Sequence, residues 1–509
     1  MPRSKEGKKR PPVDIDAVKL AAADVLDKGM KIRTAARKHG ISKTTLDRHL
    51  KKNETLVNPQ GTFEYIIKND VRKVFTDKQE LELVEYYKQA ARLHYGLTKR
   101  DALKLAYEYG RANDVKNMPE SWENQKSAGF MWLRGLRKRH PSLTLRKPEA
   151  TSLSRATSFN KENVGLFFRK LKDVLSRYKF NPSKIYNLDE AGNSTVHAPP
   201  KIMCDKGAKQ VGSVTSGERG ANITMIVAVN AIGNHVPPML VFPRVHFKMH
   251  MLNGAPTGSI GGANPSGWSN EKLFIDYLNH FVQFVKPTAD DPALLILDNH
   301  ESHMSIEAIE IAKKNGVVML TLPPHTSHKL QPLDCTVFGP YKTYYNVALN
   351  EWMVEHPGKP ITIYDVASVI GKAFVKSFTK ENIEKGFLVT GICPLDQNIF
   401  GDHEFLSSYV TDRPYEEAAV SVQSTSSVTN AGVSTNPIAS SSKSPEIIRP
   451  FPKAQPRKAP SRGRQRGKTR ILTDTPEKED IQKMKKNVQA NRKRKVLPTK
   501  SVAAKKRQQ

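Results

Sequence analysis

Apolar side chains in the first 150 residues recur at helical spacing. Over 14–28, Ile15, Val18, Ala22, Val25 and Leu26 share one helical face, and Gly29 ends the run. From 32 to 46, the small pair Ala35-Ala36, a turn at Gly40 and a capping Ser42 spell helix, turn and helix. If Ile41, Leu46 and Leu50 point inward, helical geometry leaves Thr44, Thr45, Arg48, Lys51 and Lys52 near the face that enters a DNA major groove. A plain three-helix bundle with a solvated basic side would carry the same pattern.

A second helical unit opens at Thr76, where Gln79 can reciprocate the cap, and Thr98 with Asp101 repeats the arrangement. The helix after Thr98 presents Ala102, Leu105, Ala106 and Tyr109 to a core. In 127–140, Phe130, Trp132, Leu133 and Leu136 serve as anchors, beside Arg134, Arg137, Lys138 and Arg139 as an outward cationic face suited to phosphate. Val164, Phe167, Leu171 and Val174 then mark a helix over 160–178 that reads as a connector.

Beyond Lys184 the pattern changes to short β-rich runs alternating with helical ones, which predicts an α/β core. Residues 185–188 read as a strand ending at Asp189-Glu190. Runs 223–229 and 236–242 bracket Gly233-Asn234 as a hairpin, and 293–297 and 317–322 are short buried strands. After about Tyr415 serine, threonine, proline and finally lysine and arginine dominate, so this stretch is expected to be disordered.

Charge sharpens the division. The chain of 509 residues carries a net +31, with +14 in residues 1–150, +16 in 451–509 and a nearly neutral body between. Such an excess calls for a polyanionic partner, and the basic ends lack the apolar face of an interfacial helix, so double-stranded DNA is expected and a membrane is not. Cys204, Cys335 and Cys393 are too scattered for a thiolate zinc clip or a disulfide framework. No apolar leader or spanning run of about 18 residues occurs, so an intracellular protein is expected.

The candidate chemistry is acidic. Asp189 and Asp298 each follow an expected strand, and Asp334 lies in Gln331-Pro332-Leu333-Asp334 just before an expected helix. Three carboxylates at one sheet edge could hold Mg²⁺ or Mn²⁺, and two such ions about 4 Å apart suit phosphodiester cleavage. Each aspartate alone could equally cap a loop. The spaced pairs His300/His303 and His325/His328 raise a zinc alternative, which the lack of thiolate ligands disfavours.

The runs Ile185-Tyr186-Asn187-Leu188-Asp189-Glu190, Leu297-Asp298-Asn299-His300, Gln331–Pro340 and Thr390-Gly391-Ile392-Cys393-Pro394 closely resemble the transposases of the pogo and Tigger group. The front is similar to a Pipsqueak-type helix-turn-helix, and 72–146, with Trp132 and Arg139-His140-Pro141, resembles the second DNA-binding unit of centromere protein B and Jerky proteins. The resemblance implies a ribonuclease-H-like DDE-superfamily endonuclease domain in which Asp189, Asp298 and Asp334 are the catalytic, metal-holding acids. It divides the chain into a basic arm (1–10), a Pipsqueak-type unit (11–55), a centromere protein B-type unit (72–146), a connecting helix (147–183), the DDE domain (184–400) and a disordered basic tail (411–509). The basic clusters around Lys485-Lys486 and Arg492-Lys493-Arg494-Lys495 fit a nuclear import signal. A nuclear DNA-binding protein follows, with a homodimer as candidate assembly. Whether it is an active transposase or a domesticated, catalytically silent regulator of chromatin or transcription stays open at this level.

Overall fold

The computed structural model describes residues 14–53, 73–208, 210–411, 443–455 and 467–496. They divide into two compact units, one formed by the helices up to 145 together with 443–450, the other by 91–95, 146–411 and the remaining C-terminal stretches.

In the first unit α1 (Ile15–Leu26), α2 (Ile32–Lys38) and α3 (Lys43–Asn53) close on Ala21, Ala22, Ala35, Ala36 and Leu46, with Ile41 and Leu50 at the rim. Alanines let the helices approach closely, and the turn between α2 and α3 needs Gly40 because its φ is +64°. Asp24 is buried here and neutralised from three sides, by Lys28 Nζ, Lys38 Nζ and His39 Nε2, each at 2.8 Å. Hydrogen bonds from these partners, Lys28 first, hold its carboxyl well below the usual range.

The helices α4 (Asp77–Arg92), α5 (Lys99–Ala112), α6 (Glu120–Gln125) and α7 (Phe130–Arg139) follow. Both expected capping boxes form: Thr76 and Gln79 exchange backbone amides at 3.0 and 3.3 Å, as do Thr98 and Asp101 at 3.2 and 3.3 Å. Phe75, Trp122 and Trp132 meet with ring centroids 5.5–6.1 Å apart, whereas Phe130, expected as an anchor, is 64% exposed.

The second unit is an α/β domain. After α8 (Leu153–Ser158) and α9 (Lys161–Tyr178) come β1 (Ile185–Ser194), β2 (Asn222–Asn230), β3 (Met239–Phe242), β4 (Ile260–Ala263), α10 (Glu271–Val285), β5 (Ala293–Leu297), α11 (Ile306–Lys314) and β6 (Val317–Thr321). Five helices follow: α12 (Ser327–Leu330), α13 (Phe338–Glu355), α14 (Val366–Ser377), α15 (Lys380–Val389) and α16 (Leu406–Thr411). The sheet runs β4-β3-β2-β1-β5-β6, antiparallel for β1-β2-β3 and parallel for β1-β5-β6. This is the ribonuclease-H-like arrangement that the resemblance implies. Strand alternation divides the core: Leu294 and Ile296 of β5 face α9, α13, α14 and α15, while Ala293, Leu295 and Leu297 face α10 and α11.

Three expectations change. Helix α9 is no connector, because Val164, Phe167, Phe168, Leu171 and Val174 are buried in the core of the α/β domain. Strand β1 does not stop before Asp189; it continues through Ser194 because β2 pairs with it along its length. And the C-terminal region is not uniformly without structure. Its sparse apolar residues find partners that composition does not reveal: α17 (Pro445–Ile448) belongs to the first unit, where Asn113 exchanges two hydrogen bonds with the backbone of Lys443 at 2.7 and 3.0 Å. Residues 469–473 and α18 (Thr475–Val496) belong to the second, with Ile471, Leu472 and Ile481 buried.

The core position of α9 has a direct check. Phe167→Ala should cost about 3–5 kcal/mol of stability in the α/β domain, read as a lower melting temperature of the chain, whereas a mere connector would tolerate it.

Candidate metal centre and nucleic-acid surfaces

The parallel register of β1 and β5 ends at Asn187↔Ile296, after which β1 stays with β2 and β5 stops at Leu297. The sheet therefore opens just where Asp189 and Asp298 stand, as clefts form beyond the carboxyl ends of parallel strands. The third acid arrives on a π-turn, Leu333–Val337, that runs directly into α13. Its placement is fixed by one buried side chain. Asn187 accepts from the Leu333 amide at 3.1 Å through Oδ1 and donates through Nδ2 to the Ile296 carbonyl at 3.1 Å. Behind the turn, Thr336 donates to the Asn382 carbonyl at 2.6 Å, and a Cβ at Gly386 would stand 2.7 Å from the Pro332 carbonyl oxygen, so α15 can pack this closely only with glycine there.

The three acids feel one another. Burial pushes the Asp189 carboxyl well above its usual range, and the negative charges of Asp334, Glu190 and Asp298 push it further. Asp334 is also raised, by burial first, with Lys342 and Arg155 opposing and Asp298 adding. Asp298 differs: burial would raise it, but the hydrogen bond and charge of His303 outweigh burial and carry it down. His303 is 1% exposed and bridges two carboxylates, with Nδ1 2.9 Å from Asp298 Oδ1 and Nε2 3.3 Å from Glu190 Oε1. Burial alone would lower it, yet Glu190 and Asp298 together drive it up to about 10. The His300 amide donates to Asp298 at 3.0 Å, and the Glu190 amide to Asp189 at 2.8 Å.

Among the described residues no three His, Cys, Asp or Glu side chains are already gathered as a metal cage. Asp298 is turned to His303 and Asp189 to the Glu190 amide. The donor set itself suits Mg²⁺ or Mn²⁺: hard oxygens, two of them on carboxyls raised by burial first and then by neighbouring negative charge. The histidines of the zinc alternative go to separate tasks. His303 is held by the acids, His300 and His325 are exposed, and His328 packs its ring 5.9 Å from Phe159 and is pushed down to about 4 by burial, Arg155 and Lys329.

On α3, Thr44, Arg48 and Lys51 are exposed, and Lys51 stands 3.7 Å from Asp47. Thr45 is half-buried and shares a 2.7 Å hydrogen bond with Ser42; Lys52 lies on α3 with its side chain outside the described residues. On α7, Arg134, Arg137 and Lys138 are exposed. Arg139, expected in the same outward row, is committed internally. Its Nε donates to Oε2 of fully buried Glu80 at 2.8 Å, a second guanidinium nitrogen meets Oε1 at 2.5 Å, and His140 adds a contact at 3.3 Å. Arg139 follows the apolar stripe closely enough for its fork to reach the α4 carboxylate. In α18, Lys486 is exposed, whereas the side chains of Lys485, Arg492, Lys493, Arg494 and Lys495 lie outside the described residues.

Sequence reasoning did not assign Glu190, His303 or Asn187. The signal for His303 was its place five residues after Asp298, and for Asn187 a polar residue inside an otherwise apolar strand.

Comparison with known proteins agrees with the two-part reading. A helix-turn-helix of the Psq type matches residues 15–58, and a DDE superfamily endonuclease matches 221–387. Among curated proteins, the human "Pogo transposable element with ZNF domain" is 21% identical over 310 residues, covering 58% of this chain and 21% of that protein. The "MFS-type transporter clz9" of Cochliobolus lunatus is 30% identical over 236 residues, covering 44% and 25% respectively. The chain thus spans a quarter or less of the length of these relatives, and none of its described helices is long and apolar enough to cross a membrane. Of solved structures, the Mos1 strand transfer complex covers 75% of this chain and 99% of its own at 13% identity and a TM-score of 0.35. The Mos1 mariner paired end complex with Mn covers 75% and 98% at 12% identity and the same TM-score. Together these matches give the chain a helix-turn-helix of the Psq type at its front and a DDE superfamily endonuclease region in its α/β domain. A Psq-type helix-turn-helix followed by a DDE-type region is what this chain shares with known proteins, and the human Pogo protein is one of its similar relatives.

Two measurements check the assignments of charge. Arg139→Ala should lower the stability of the first unit by about 2–3 kcal/mol, less than the usual cost of breaking a fully buried pair because Arg139 is a third exposed. Arg137→Ala should leave the melting temperature unchanged and weaken DNA binding. The pH check concerns His303, whose proton is held more tightly in the folded chain than at its ordinary value of 6.5. Its contribution is complete below that value and is lost as pH rises through about 10. Thermal melts of the wild type should therefore fall across this alkaline window, and those of His303→Gln should run flatter.

Proposed function

We propose that this chain is a divalent-metal-dependent transposase that cuts DNA at the ends of its own element and joins the freed 3′ ends to a target. The observation that carries the reading is the convergence of Asp189, Asp298 and Asp334, spread over 189–334 of the sequence, on one opening of the sheet where the charge of Asp298 helps to raise the other two. These three would hold Mg²⁺ or Mn²⁺. The ions supply a more basic attacking oxygen and a stabilised leaving oxygen. The chain does the rest: His303 orients Asp298 and balances its charge, and Arg155 and Lys342 bring positive charge beside Asp334, where a phosphate backbone approaches.

Sequence recognition belongs to the first unit. Thr44, Arg48 and Lys51 of α3 read the major groove, with Thr45 fixing the start of that helix, and Arg134, Arg137 and Lys138 of α7 hold phosphates in a second, centromere protein B-type contact. The protein acts in the nucleus, directed there by the basic clusters of its C-terminal region, and as a homodimer that brings two DNA ends together.

Residues 1–150 should bind DNA with an affinity that falls steeply with salt, since several phosphate contacts release counterions; fluorescence anisotropy reads it, and salt-insensitive binding would refute the assignment. Plasmid cleavage tests the metal site. Wild type with Mg²⁺ should cut a plasmid bearing its inverted repeats, while Asp298→Asn should bind the repeats equally and cut at least about a hundredfold more slowly, as expected when an essential charge is removed. A wild type that binds but never cuts would establish the silent, regulatory reading instead.

A further inference from the structure

An edge strand presents a row of unpaired amides and carbonyls to any chain of matching polarity. The free edge of β6 is occupied by the chain's own residues 469–473, from a stretch whose composition promised no structure. Ile471 pairs with Leu320 in antiparallel sense. The Thr321 amide donates to the Arg470 carbonyl at 2.9 Å, the Leu472 amide donates to the Met319 carbonyl at 2.9 Å, and the Arg470 amide donates to Thr321 Oγ1 at 2.8 Å. Alternation sends Ile471 to one face of the sheet and Leu472 to the other, where Ile481 of α18 joins it in the core shared with α11.

Charge secures the rest. Arg470, 8% exposed, donates to Glu477 at 2.8 Å; Arg177 of α9 reaches Asp474 at 3.1 Å, and Lys478 meets Glu310 of α11 at 2.8 Å. At its upstream end the segment runs beside the acid site. Asn299, next to Asp298, donates through Nδ2 to the Lys468 carbonyl at 3.0 Å. Gly467 passes so tightly that a Cβ there would stand 2.9 Å from Pro324 and 3.0 Å from Asn299.

We propose that residues 467–484 are a positioning clasp for the acid site: by pairing with the edge of β6 at Ile471 and holding Asn299, they fix the loop that presents Asp298. The α/β domain is therefore discontinuous, and the loop after β5 that carries Asp298 is set by a segment more than 150 residues downstream. The clasp's role in catalysis rests on the metal-site reading of Asp298; its docking does not.

Hydrogen exchange separates the two. In a chain ending at residue 455, the Thr321 amide and the loop 298–304 should exchange about tenfold or more faster than in the full chain, because their partners are gone. A synthetic peptide of residues 467–486 should restore protection at both, and the same peptide with Leu472→Asp should restore neither. Should the shortened chain fail to fold, Leu472→Asp in the full chain gives the same comparison. Asn299→Ala in the full chain should keep Thr321 protected while releasing 298–304, a split that general destabilisation would not produce, and should weaken Mn²⁺ binding about tenfold if presentation of Asp298 is what the clasp sets. Equal exchange of 298–304 with and without the segment overturns the proposal, as does unaltered Mn²⁺ affinity in Asn299→Ala. A full chain that binds no Mn²⁺ would sink the metal reading, while the exchange comparison would still decide the docking.

Discussion

One buried amide ties the acid site together. Asn187 has no exposure, yet its Oδ1 and Nδ2 are both satisfied, by the π-turn that carries Asp334 and by the strand that leads to Asp298, while Asp189 lies two residues further along its own strand. A side chain that left these two backbone groups unpaired in the core would cost about 1–3 kcal/mol for each. The same constraint explains why β1 can part from β5 without the sheet coming apart. Beyond Asn187 the hairpin with β2 continues alone, and Asn193, accepting from Tyr341, and Ser194, accepting from Tyr345, hand the strand to α13.

Bringing acids together has an electrostatic cost, which the fold leaves partly unresolved. Asp298 is compensated by His303, but the carboxyls of Asp189 and Asp334 stay raised, by burial first and then by neighbouring negative charge. Elsewhere the chain neutralises its buried carboxylates fully, Asp24 with Lys28, Lys38 and His39, and Glu80 with Arg139 and His140. Among the described residues, raised buried carboxyls therefore gather at the sheet opening. The helical units show the other side of this economy: some of their many basic residues serve the core, so surface charge for DNA is smaller than the composition suggests.

The order of elements was written in local pattern. Helical spacing marked α1, α3, α5 and α9, reciprocal caps marked the starts of α4 and α5, and two apolar runs of five or six residues marked β5 and β6, because these signals depend on neighbours within a few positions. The acids, too, were legible as residues: Asp298 and Asp334 stand where strand and helix boundaries were expected. What local pattern could not give was partnership. Phe167 looks the same on a connector as on a core helix, and Arg139 the same as Arg137, until Glu80 is placed beside it.

By itself, then, the sequence determined which segments are helix and strand, which three acids are candidates for one site, and that a basic, helical front precedes an α/β body. Tertiary structure alone decided that β1 runs past Asp189, that His303 bridges Glu190 and Asp298, and that a polar, basic stretch pairs with the edge of β6. Each of these is a contact between residues distant in sequence, and its free energy comes from burial and pairing that exist only when both sides are present. Ile471 and Leu472 are two apolar residues in a polar stretch; only the open edge of β6 and the two faces of the sheet give them partners.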